Sequence, residues 1–269
     1  MHTRLLTVVA VLPLLATLAG AAGAETAREI LDRRRQLDDT TRRWEDRHQR
    51  MKFTIAGKGG GERERELELY ERKDAGGEQK TIVFFQTPAE VKGTAFLSHS
   101  HKGRPAEQWL FLPELARTRQ ITANTRSQSF VGTDLSYHDL DLITEMTSWT
   151  EEDAASKLTG SEAVDGVTCY AIELTPRRED IGYRRILVWL GAQDLVPRRL
   201  EFFGAEEPPV KRIVQSDIKD VGAIPTAHHI HVETPAAGTH TEMAISDVRF
   251  DQHLDAELFT QRALERGAP

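Results

Sequence analysis

The sequence predicts a mainly β fold, built as one large curved antiparallel sheet or partly closed barrel. Three observations carry that prediction. Apolar and polar residues alternate at period two through most of the chain, the pattern of strands with one buried face. Turn-like clusters separate nearly all of these runs, so neighbours in sequence pair antiparallel. Some runs, such as Ile82-Val83-Phe84-Phe85 and Trp109-Leu110-Phe111-Leu112, are apolar on both faces, which requires apolar material on each side of the sheet.

Residues 1–24 read as a secretory signal, with Arg4 in the positive n-region, Leu5 to Leu18 as a short apolar core and Ala22-Gly23-Ala24 as the cleavage pattern. That core is shorter than the roughly 20 residues a membrane span needs, and no Cys follows to take a lipid. The expectation is a soluble periplasmic protein, with residues 25–269 forming a single domain. A helix opens that domain over residues 27–36, with a thin stripe of Ile30, Leu31 and Leu37. Met51, Phe53 and Ile55 then alternate with polar residues, Gly57 to Gly61 makes a turn, and Leu67 and Leu69 lead back, giving a hairpin with one wet face. The glycine turn is no phosphate loop, because neither Lys-Ser nor Lys-Thr follows it. Further strands are expected at 81–87, 94–100, 108–112, 118–122, 169–175, 185–190, 198–203, 211–218, 228–234 and 242–250. Ser136 with Asp139 three residues on makes a capping-box-like helix start, followed by the apolar face of Leu140, Leu142 and Ile143. A last helix is expected near Asp255.

Helices near Ala27, Ser136 and Asp255 are the candidates to cover the sheet. A curved sheet plugged in this way encloses either an apolar concavity suited to a ligand or a fully packed core, and the sequence leaves both open.

Composition narrows the function. The net charge is −7, and −8 once Arg4 leaves with the signal, with acids and bases interleaved throughout, which argues against a nucleic-acid partner. Cys169 is the only cysteine, so no intramolecular disulfide forms, and its strand-like setting reads as a small buried filler. His229, His231 and Glu233 alternate on one face of a strand and have the spacing of metal ligands, as do His99 and His101. Ile230 and Val232 claim the other face, and a hairpin near Ala236 would set His240 and Glu242 across from Glu233 and His231 as ordinary polar pairs. No metal and no cofactor are expected. Ser129 has no elbow motif or positioned acid and base around it, so neither a serine hydrolase nor any other enzyme is favoured.

Four runs bear a family likeness: residues 88–97 (PAEVKGTAFL), Trp109 to Pro113, residues 126–137 (RSQSFVGTDLSY) and residues 259–267 (FTQRALERG). Together they resemble the outer-membrane lipoprotein-sorting-like family, relatives of LolA and LolB, from about Thr40 to the C-terminus. The resemblance implies a half-open antiparallel barrel with helices as a lid, which carries lipid-modified or other hydrophobic cargo across the periplasm without catalysis. Its implied partners are lipid or acylated lipoprotein cargo, an inner-membrane lipid exporter and an outer-membrane acceptor. Burying an acyl chain of about 16 carbons gains roughly 13 kcal/mol, at about 0.8 kcal/mol per methylene, so a carrier needs an apolar wall. Phe53, Leu69, Phe84, Phe96, Trp109, Phe111, Trp189, Leu200 and Phe202 are the expected wall, chosen by size and strand position. Arg126, Ser129, Phe130, Asp134 and Tyr137 belong to the expected lid, in which Phe130 is an exposed-looking aromatic and Arg126 a headgroup or lid partner. The competing readings are a scaffold subunit of an envelope complex, marked by a solid core and an exposed apolar patch, and a metal-dependent or lipid hydrolase.

Overall fold

The computed structural model describes residues 25–74, 76 and 78–269; the expected signal segment lies outside the described residues. Thirteen antiparallel strands form one curved, unclosed sheet. In chain order they are β1 (Asp46–Ala56), β2 (Glu62–Lys73), β3 (Gln79–Thr87), β4 (Ala95–His101), β5 (Arg104–Leu112), β6 (Arg117–Gln120), β7 (Ala154–Val164), β8 (Val167–Pro176), β9 (Arg185–Gly191), β10 (Pro197–Phe203), β11 (Lys211–Val221), β12 (Ile224–Thr234) and β13 (Thr239–Phe250). Their spatial order is β6-β5-β4-β3-β2-β1-β13-β12-β11-β10-β9-β8-β7. The first and last strands therefore meet at the centre of the sheet, and the two edges, β6 and β7, come from the middle of the chain. Residues 121–153 connect those edges.

The helices are α1 (Ala27–Asp39), α2 (Tyr137–Glu145) and α3 (Gln261–Arg266). α1 begins with a capping box from Thr26 and Glu29, and α2 with the expected one from Ser136 and Asp139, so in both the cap hydroxyl and the carboxylate three residues later satisfy each other's backbone amides. Near Asp255 the expected helix is a short 3-10 turn (Ala256–Phe259) that leads into α3.

Period-two alternation splits the apolar residues between two faces. Met51, Phe53, Ile55, Leu67, Val83, Phe85, Phe96, Leu110, Ile186, Val188, Leu200, Phe202, Ile213, Val232 and Met243 fill the concave face, and Ile30, Phe130, Leu135, Tyr137, Leu142 and Trp149 pack onto them from α1 and from residues 121–153. On the convex face Tyr70, Ile82, Phe84, Ala95, Leu97, Trp109 and Phe111 are covered by Leu258, Phe259 and Leu264 of the C-terminal segment. A smaller convex cluster joins Val164, Cys169, Ala171 and Trp189. Cys169 is fully buried, and burial pushes its thiol pKa up.

One strand departs from the sequence expectation. β7 reads Ala-Ala-Ser-Lys-Leu-Thr-Gly-Ser-Glu-Ala-Val and is exposed along most of its length. An edge strand with a polar outer flank and an irregularity between Leu158 and Gly160 has little alternation to read.

Candidate functional site

The concave face and the segment that closes it form the largest apolar cluster among the described residues. Residues 121–153 cross this face as a plug. Phe130 is buried rather than exposed; its ring lies 5.9 Å from Phe85, 5.2 Å from Phe96 and 5.7 Å from Tyr137, edge-on to the last two. Gln108 Nε2 donates to the Tyr137 carbonyl at 3.0 Å, tying the start of α2 to β5.

Four acids anchor the plug, each to a different partner. Asp134 accepts from Thr239 Oγ1 at 2.5 Å and Thr241 Oγ1 at 2.8 Å, and its backbone N–H donates to Thr241 Oγ1 at 3.0 Å. Asp139, 1 % exposed, accepts from Ser136 N, Ser136 Oγ and Tyr183 Oη at 2.7 Å each and pairs with the buried Lys211 of β11. Burial alone would raise the Asp139 pKa, yet the Lys211 charge and these hydrogen bonds outweigh it and hold the carboxyl below its usual range. Asp141 pairs with Arg126 and accepts from the Ala106 N–H at 2.9 Å. Glu145 pairs with Arg178, but burial wins over that pairing and its pKa lies above the usual value. Ser129 donates to the Thr133 carbonyl at 2.6 Å, an ordinary turn bond inside the plug.

The expected wall residues do not share one face. Phe53, Phe96, Leu200 and Phe202 lie on the concave side, and Leu69 is half-buried against the same cluster. Phe84, Trp109 and Phe111 lie on the convex side under the C-terminal segment, and Trp189 lies on that side too, with its indole N–H on Glu162 at 3.0 Å. The correction follows from the pleat: in a strand apolar on both faces, size does not reveal parity, and Phe85 and Leu110 are the inward neighbours of Phe84 and Trp109. Lys211 and Tyr183 were not singled out by the sequence. A lysine opening a strand reads as solvated, and only the fold brings it to Asp139.

An open groove along α1, lined by Glu25, Glu29, Asp32, Arg33 and Gln36, has a volume of about 550 Å³ and is walled by polar side chains. The cavity between α1 and the end of the plug, lined by Arg28, Arg35, Met146, Trp149 and Leu174, measures about 20 Å³, against the several hundred Å³ that a drug-sized ligand occupies. On the convex face the histidines pair as the hairpin register predicts. His231 faces Glu242 and Glu233 faces His240, with His231 Nδ1 2.6 Å and His229 Nε2 3.0 Å from the Glu242 carboxylate. Among the described residues no group of three or more His, Cys, Asp or Glu is placed to hold a metal ion.

Comparison with known proteins supplies independent observations. A family model whose description reads "uncharacterized protein" matches residues 77–266, well over half of the chain. No curated protein matches the sequence. Among solved structures, the chain is similar to a domain from Vibrio parahaemolyticus provisionally described as outer-membrane lipoprotein-sorting, with 27 % identity, a TM-score of 0.80, and 89 % of this chain and 98 % of that one covered. A DUF1329 family protein from Desulfovibrio piger gives 24 % identity and a TM-score of 0.81 over 89 % of this chain and all of the other. A LolA superfamily protein from Nitrosomonas europaea gives 20 % identity and a TM-score of 0.66, again over 89 % of this chain and all of the other. At those lower identities the last two speak for the fold alone.

Proposed function

Because this chain belongs to the outer-membrane lipoprotein-sorting-like family of LolA relatives, we propose that it is a periplasmic carrier, exported by residues 1–24, which takes the acyl part of a lipid or lipoprotein against its concave sheet and passes it on without catalysis. The observation that carries this reading is the plug. The sheet's concave face is largely apolar, and what covers it is a separate segment whose own apolar side chains occupy the place an acyl chain would take. The plug's side chains fill the concave face, so cargo enters by displacing the plug and the closed form is the empty carrier.

The wall of this reading is Phe53, Phe85, Phe96, Leu110, Leu200 and Phe202, and the plug residues Phe130, Leu135 and Tyr137 are what the acyl chain replaces. The donor is an inner-membrane lipid exporter and the acceptor lies at the outer membrane.

A non-catalytic scaffold is the second reading, favoured by the solid interior. Its other mark, a contiguous exposed apolar patch, is missing among the described residues, where the exposed large apolar side chains are the scattered Leu115, Val167 and Val210. Native mass spectrometry of protein purified from the periplasm without detergent separates the two. Stoichiometric bound lipid, or lipid acquired on incubation with native membranes, is the expected outcome. A clean apo mass under both conditions refutes the carrier.

A further inference from the structure

At the turn end of the β1–β2 hairpin, Arg63 and Arg65 stand opposite Ile55 and Phe53 and share their concave face. Both guanidinium groups converge on the tip of the plug. A Cβ placed on Gly132 would lie 3.6 Å from Arg65 Nη2 and 4.0 Å from Arg63 Nη2. The backbone at this tip is left-handed at two successive residues, Val131 at φ 47° and Gly132 at φ 84°, and a β-branched residue in that region is strained.

Several other arginines on this sheet sit on acids: Arg50 on Glu68, Arg199 on Glu162, and Arg212 on Glu201 and Glu233. Arg63 and Arg65 form no ion pair with the described residues, and Arg65 Nε is buried without a hydrogen-bond partner. The pairing of β3 with β2 stops at Glu66 and Thr87, so no neighbouring strand covers the pair. Burial and then the like charge of Arg63 push the Arg65 pKa down, with Glu90 the acid that pulls it back. Two guanidinium groups held close with no acid in ion-pair contact are a waiting site for a planar or tetrahedral oxyanion. Directly beside them on the same face begins the apolar wall of Ile55 and Phe53, so adjoining charge and hydrocarbon match an anionic amphiphile.

We propose that Arg63 and Arg65 form an anion site at the plug tip that takes the phosphate of a lipid headgroup, so that the cargo is a phosphate-bearing lipid in preference to an uncharged acylglycerol. This rests on the carrier reading and deepens it. Contact of the phosphate with the two arginines lies beside Val131 and Gly132, where the plug would begin to lift.

The test is retention of dispersed dioleoylphosphatidic acid against dispersed dioleoylglycerol, measured by gel filtration, lipid extraction and quantification, on the wild type and R63Q/R65Q. Both positions are on the hairpin rim, and thermal melting checks that the variant is folded; R63K/R65K, which keeps charge but loses the guanidinium fork, is a second variant. The expected result is a wild-type preference for phosphatidic acid of about tenfold, reduced in R63K/R65K and abolished in R63Q/R65Q, with dioleoylglycerol retention unchanged. Equal retention of both lipids by the wild type, or a preference that survives R63Q/R65Q, overturns the inference and leaves the carrier standing. Retention of neither lipid overturns both. Calorimetric binding of inorganic phosphate that R63Q/R65Q loses, without any lipid preference, assigns the pair to free phosphate and overturns the headgroup assignment.

Discussion

Asp139 and Glu145 lie on the same short helix, and their ionisation works in opposite directions. The Asp139 pKa is lower in the fold than in the unfolded chain, where it is about 3.9. Its ionised form stabilises the fold above that unfolded value, and the contribution is lost as pH falls through the native one. The Glu145 pKa is raised, so its contribution is present below about 4.3 and lost as pH rises through the native value. Acid melts between about pH 5 and 2 should therefore show D139N losing less melting temperature than the wild type, and E145Q losing more. Lys211→Met should cost about 3–5 kcal/mol in urea unfolding at neutral pH, since it strands a buried carboxylate; a cost within that of a surface substitution would show that Asp139 does not depend on it. Side-chain parity is also a residue-scale matter. W109A should leave lipid retention at the wild-type level, whereas F96A, on the concave face, should reduce it severalfold; the reverse result would put the cargo under the C-terminal segment. The sequence announced the apolar residues but not their sides, because adjacent phenylalanines such as Phe84 and Phe85 look alike until the pleat separates them.

Among the elements, the start of α2 was legible and β7 was not. Ser136 and Asp139 mark the start of α2 because a capping box is a local device, satisfied within four residues. The plug's attachments are not local. Asp134 reaches Thr239 and Thr241, and Asp139 reaches Lys211, across separations that no spacing rule spans. β7 carries its register through hydrogen bonds to β8 with little apolar side-chain signal. Asp134 and Thr241 touch through side chain and backbone alike, which makes this pair the place to test a tether. In D134C/T241C the oxidised protein should lose lipid acquisition and regain it on reduction, while Cys169 stays buried and unreactive. Unchanged acquisition in the oxidised form would mean that the tip of the plug does not have to leave the sheet.

For the whole molecule, the alternation of the strands and their turns sufficed to read an antiparallel sheet of large size, because every pairing in the sheet joins neighbours in sequence except that of β1 with β13. That single long-range pairing was invisible, as was the solid filling of the interior, since both depend on how far the sheet bends. Its consequence is mechanical. The chain runs out from the sheet's centre to the β6 edge, crosses through residues 121–153, and returns from the β7 edge to the centre. The crossing segment is thus a chord tied to both ends of an arc: flattening the arc tightens it against the face, and curling the arc slackens it. On the carrier reading, cargo that lifts the chord would let the arc curl, so loading would be felt at two edges twelve strands apart.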